Sequence, residues 1–131
     1  MTSTRFIEPM YDAVDALDLE GMLRWLTDDA TSQLGNGPVV SGKAEIRASF
    51  AGFFATLDGM RHQMLAMHVG EKTVVLESLV TYIVRGGESV TVPAATALDV
   101  EGDLVRATRV YIDLSPLLAL QEQSPQHAAA G

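Results

Sequence analysis

Apolar residues recur at helical spacing through the first half of the chain and alternate with polar ones through the second. Pro9 suits the first turn of a helix, and Met10, Val14 and Leu17 follow at four- and three-residue steps, with Ala13 on the same face and Tyr11 beside it. Asp18 is placed to cap a second helix, in which Leu19, Met22, Leu23 and Leu26 fall at i, i+3, i+4 and i+7. The short Leu17-Asp18 junction makes the two a helical hairpin. Leu34-Gly-Asn-Gly-Pro38 supplies turn residues, and a third helix is expected after Gly42, with Glu45 in its first turn and Ile46, Phe50, Phe53, Phe54 and Leu57 along one face.

From Arg61 the pattern predicts four strands, about 61–69, 73–85, 88–100 and 104–113, separated by turns at Gly70-Glu71, Gly86-Gly87 and Glu101-Gly102-Asp103. Such short turns imply an antiparallel meander, so the fold class is α+β, with the N-terminal helices on one face of a curved sheet. Val74, Leu76, Val80, Val105 and Tyr111 suggest apolar surface on both sheet faces, and a homodimer through the outer face is the expected cover. Residues 1–120 read as a single domain. Residues 121–131 have no core-forming pattern and read as a flexible tail.

Composition narrows the function classes. At 131 residues, 47% hydrophobic and 20% charged, the chain is an ordinary single globular domain, without an apolar run near the about 20 residues that span a bilayer. Its start lacks the apolar stretch of a secretory signal, so the cytoplasm is the expected compartment and no membrane partner is expected. Absence of cysteine excludes disulfides and thiol chemistry. Nine basic against 17 acidic residues give a net charge of −8, a field that repels phosphate backbones, so no nucleic-acid partner is expected. His62 and His68 are six apart and His127 lies in the tail, so no compact metal-ligand set emerges, and Gly35-Asn-Gly37 is not followed by the Lys-Ser/Thr pair of a phosphate loop. No cofactor is implied.

Four motifs, Asp18-Leu-Glu-Gly-Met-Leu, Leu26-Thr-Asp-Asp-Ala-Thr, Gly42-Lys-Ala-Glu-Ile-Arg and Tyr111-Ile-Asp-Leu-Ser-Pro-Leu, resemble in order and spacing the SnoaL-like branch of the nuclear transport factor 2-like superfamily, whose relatives include limonene epoxide hydrolase and ketosteroid isomerase. The resemblance spans about Tyr11 to Leu117 and implies a cone-shaped α+β barrel enclosing an apolar pocket. Residue by residue it also implies losses. The isomerase's proton-shuttling aspartate falls at Leu34 and its oxyanion-stabilising aspartic acid at Thr96, with only its tyrosine matched, by Tyr11. Of the hydrolase's water-activating group, the asparagine falls at Asn36 but one aspartate falls at Val110, and the remaining positions hold Leu79 and Thr81, or Ser78 and Val80 in a shifted register. Both mechanisms in their usual form lack a base.

What remains is a mostly apolar lining suited to a hydrophobic small molecule, polyketide-, steroid- or terpenoid-like. Strand alternation puts His62, Met64, Ala66 and His68 on one face, and sends Val92, Ala94, Thr96, Thr108, Val110 and Ile112 to the concave side. His62 is the pocket candidate able to exchange a proton near neutral pH, or else a strand-end histidine bonded to a loop carbonyl. Tyr11 and Asn36 are its candidate catalytic companions. Leu34, Trp25, Phe54, Met64, Thr81, Val92, Thr96, Val110 and Ile112 are candidate ligand contacts, Trp25 and the cluster Phe50, Phe53 and Phe54 being most simply core or pocket wall. Glu77 is expected to pair with Arg109 or reach solvent, and Asp113 to bond backbone amides of the next turn. Two classes fit: a cofactor-independent isomerase, cyclase or hydrolase working by proton transfer, or a non-catalytic binding or dimerisation module of the same fold.

Overall fold

Asp18 joins the first two helices. The computed structural model describes residues 2–123, in which α1 (Ile7–Asp15) and α2 (Leu19–Leu23) are separated by Leu17 in the left-handed region at φ 56°. The Asp18 amide donates back to the Ala13 carbonyl at 2.8 Å, closing α1, while its side chain accepts from the Gly21 amide at 3.0 Å, opening α2. Met10, Ala13, Met22 and Leu23 are the buried residues of this hairpin.

Leu26 does not continue α2. It begins β1 (Leu26–Leu34), which is followed by β2 (Val40–Ser41) and α3 (Lys43–Phe54). Then come β3 (Leu57–Val69), β4 (Thr73–Val84), β5 (Ser89–Glu101) and β6 (Leu104–Ile112), and α4 (Ser115–Gln123) closes the described chain. The last four strands form the expected antiparallel meander, its turns held by Gly86, Gly87 and Gly102 at positive φ. β1 joins parallel to β6, giving one six-stranded sheet ordered β2-β1-β6-β5-β4-β3. The sheet is curved and unclosed, with β2 and β3 as its edges.

Even-numbered residues of β4 and β5 face the helices. Val74, Leu76, Val80 and Leu98 are at most 2% exposed, packed with Phe6, Ile46 and Leu117 in one core. Odd-numbered residues form the outer face, where Thr81 bonds Thr91 at 2.8 Å and the Asp99 carboxylate accepts from the two terminal guanidinium nitrogens of Arg109 at 2.8 and 3.1 Å. Arg109 is therefore not the partner of Glu77. That carboxylate bonds His68 Nε2 at 2.5 Å, because a register shift between Met64 and Ala66 turns the end of β3 over and sends His68 to the outer face, away from His62. Asp113 accepts from the Ser115 amide at 2.9 Å, as expected of a strand-ending residue.

The domain also extends past residue 120. Gln121 is buried and donates to the Thr56 hydroxyl at 3.0 Å, fastening α4 to the corner between α3 and β3. The remainder of the expected tail, 124–131, lies outside the described residues.

Candidate functional site

The helices cover the concave sheet face incompletely, leaving a cavity of about 80 Å³. Its sheet wall carries Ser32 and Leu34 from β1, Met60 and His62 from β3, Val80 and Tyr82 from β4, Ala94 and Thr96 from β5, and Thr108 and Val110 from β6. Met10, Tyr11 and Val14 of α1, Met22, and Ile46, Phe50 and Phe53 of α3 close it from the other side.

Asp15, the last residue of α1, holds His62 by two atoms. One carboxylate oxygen accepts the His62 backbone amide at 3.0 Å and the other meets ring Nδ1 at 2.6 Å. This grip fixes the ring's rotation as well as its position. With a neutral ring, Nδ1–H donates to the carboxylate, so the lone pair sits on Nε2. The pair is secluded, with the His62 side chain 12% exposed and that of Asp15 28%. Tyr11 stands edge-on to the imidazole, ring centroids 4.9 Å apart at 71°.

Burial pushes the Tyr11 hydroxyl up to about 12; a bond to the Thr96 side chain works against that rise and the negative charge of Asp15 adds to it. Tyr11 is thus a neutral hydrogen-bond donor across the working pH range. Tyr82, packed edge-on against Phe53, is likewise raised to about 12 by burial.

Of the residues singled out in the sequence, His62, Tyr11, Leu34, Thr96 and Val110 come together on this cavity. The others stand apart. Asn36 is exposed in the β1–β2 turn, and Trp25 lies in a shallow groove on the far side of the helical hairpin. Phe54 and Val92 are buried in the core outside the cavity wall, and Ile112 sits at the end of β6 against Gly35. Met64 is 40% exposed, and Thr81 faces outward because β4 presents its even-numbered residues to the cavity. The shifted reading, with Ser78 and Val80 inward, is the observed one.

A sequence profile of the SnoaL-like domain matches residues 7–108. The chain belongs to this family. Solved structures show the same fold. An NTF2-like protein of unknown function from Burkholderia pseudomallei K96243 superposes with TM-score 0.79 at 17% identity, over 88% of this SnoaL-like chain and 94% of its own. A hypothetical protein with a ketosteroid isomerase-like fold from Catenulispora acidiphila DSM 44928, in complex with trimethylamine, gives TM-score 0.79 at 19% identity over 90% and 92%. A candidate SnoaL-like polyketide cyclase from Jannaschia sp. CCS1 gives 0.78 at 17% identity over 92% of each chain. A search of curated proteins returns no match.

Asp15 is the member of this SnoaL-like site that the sequence reading passed over. It follows Tyr11 by four residues, so the two share a helix face beside the apolar stripe, and that spacing was the available signal. Its partner is 47 residues away and reaches it only when α1 docks on β3. Among the described residues no group of three or more His, Asp or Glu is placed to hold a metal ion, and no helix is long and apolar enough to cross a membrane.

Proposed function

We propose that this SnoaL-like domain is a cofactor-independent enzyme that moves a proton on an apolar, carbonyl-bearing small molecule. The observation that carries this reading is the two-point grip of Asp15 on His62 at the wall of an apolar cavity. An Nδ1–carboxylate bond orients the imidazole, leaves Nε2 as the base and stabilises the imidazolium that forms. A structural histidine bonded to a loop carbonyl has no such arrangement.

The steps follow from the groups present. Tyr11, its oxygen supported by Thr96, donates to the substrate carbonyl oxygen. His62 Nε2 takes a proton from the adjacent carbon, the C–H pair moves into the new C=C bond, and the carbonyl oxygen takes up the negative charge beside the Tyr11 hydroxyl. The imidazolium then returns the proton to the γ-carbon when the enolate is conjugated with a C=C bond, an isomerisation that shifts that double bond, or to the alkoxide formed when the enolate attacks a second carbonyl, a cyclisation. Here the histidine–aspartate pair on α1 and β3 takes the place of the carboxylates absent at Leu34, Thr96 and Val110.

Those three side chains on the cavity wall also favour a second reading, a module that binds an apolar ligand without reacting with it. Deuterium exchange into the α-carbon of apolar ketones in heavy water, followed by mass spectrometry, separates the two. The enzyme reading expects exchange with the wild type and its loss with a folded His62→Ala variant. Ligand binding with no exchange above the buffer rate by the wild type establishes the module instead.

A further inference from the structure

The cavity against His62 is not the whole site. A second hollow of about 240 Å³ lies between the β1–β2 loop and the outer end of α3, lined by Gly37, Pro38, Val40 and Ser49. Ser32, Leu34, Phe50 and Phe53 wall both spaces. These four residues form a collar between an inner chamber and a larger outer one. The inner chamber, about 80 Å³, has roughly half the about 150 Å³ in which a buried cavity takes up one benzene molecule. It has room for a carbonyl and its α-carbon but not for a fused ring system.

We propose that the substrate is a two-part ketone: a small acyl head against His62 and Tyr11, a narrow flexible link through the collar, and an apolar body of about one ring in the outer chamber. This rests on the proton-transfer reading for the choice of a ketone as head. The division into two chambers rests on volumes and walls alone. Ser32, 7% exposed at the collar, is the polar point the link must pass, so a link carrying one hydrogen-bonding group is accommodated there. Rigid polycyclic ketones are excluded by the collar.

Methionine methyl groups report on this directly. Met10, Met22 and Met60 line the inner chamber, whereas Met64 and Met67 are exposed on β3 and serve as internal controls. The full chain, labelled at its methionine methyls, is titrated with butanone (head and link without a body), benzylacetone (head, link and one ring) and progesterone (an acetyl head joined directly to four fused rings). Butanone and benzylacetone are expected to shift the three inner methyls while leaving Met64 and Met67 unmoved, and progesterone to shift none. Ser49 is exposed on α3, so Ser49→Trp fills the outer chamber without disturbing the core. It is expected to weaken benzylacetone at least about tenfold and leave butanone unchanged.

Inner-methyl shifts by progesterone at comparable concentration overturn the proposal, as does a Ser49→Trp variant that treats butanone and benzylacetone alike, or silence of the inner methyls towards all three. α-Deuterium exchange of benzylacetone is followed on the same samples. Shifts in the expected pattern with no exchange would refute the proton-transfer chemistry and leave the two-chamber assignment in place.

Discussion

A carboxylate that grips both the backbone and the ring of one histidine makes that histidine a group with a single orientation and a fixed tautomer. Asp15→Asn keeps an acceptor for the His62 amide but removes the charge that stabilises the imidazolium. Exchange is expected to fall about a hundredfold or more, with ligand binding retained, whereas His62→Ala abolishes it. Equal exchange rates in wild type and Asp15→Asn would show that the pair is structural. On the outer face, the Arg109 guanidinium beside Asp99 holds its carboxyl below the ordinary 3.8, with the Thr73 hydroxyl adding to the effect. A folded value below the unfolded one means the stabilisation is complete above the unfolded value and is lost as pH falls through the folded one. Asp99→Asn should therefore lower stability by about 1 kcal/mol at about pH 7 and by much less at about pH 2, read by urea denaturation; a loss equal at both would exclude the carboxylate as its source. His62 and Tyr11 were legible as chemistry-bearing residues on elements facing a pocket. Asp15 was not, since its four-residue spacing from Tyr11 alone does not distinguish it from a solvated residue ending a helix, and its partner is 47 residues away.

Elements with an unbroken period were read well and elements interrupted by a bulge were not. β1 has its buried positions at Leu26, Ala30 and Ser32, and its register on β6 jumps between Leu26 and Thr31, so five residues of β1 pass where β6 uses two. That excess erases the period of two and leaves Leu26 looking like the next residue of α2's stripe. The shift in β3 likewise displaced Ala66 and His68 from the face to which strict alternation assigned them. The α1–α2 joint is sterically specific at Gly21, where an added Cβ would lie 2.4 Å from Asp18 Oδ2 and 2.9 Å from Ala13 Cβ. Gly21→Ala, usually favourable in a helix by about 1 kcal/mol, is expected to destabilise here by driving out the Asp18 cap. Thermal denaturation beside Asp18→Ala tests this: the double variant should stay below Asp18→Ala, because Ala13 remains in the way.

For the molecule as a whole, helices followed by a meander were enough to place the chain among α+β folds with one curved sheet. The outer sheet face keeps Tyr111 at 62% exposure. We expect a second copy of the chain to cover this face, so sedimentation should give a dimer that Tyr111→Glu shifts toward monomer; a monomeric wild type at high micromolar concentration would refute it. The parallel seam between β1 and β6 joins residues 26–34 to residues 104–112, so an early segment finds its place only on the last strand made. During synthesis the meander can pair hairpin by hairpin, but β1, with only the two residues of β2 to pair, has no place in the sheet until β6 has left the ribosome. The pocket is then the last part of the domain to come into being, and a nascent chain stalled before Leu104 would be largely paired in its sheet yet unable to hold a ligand.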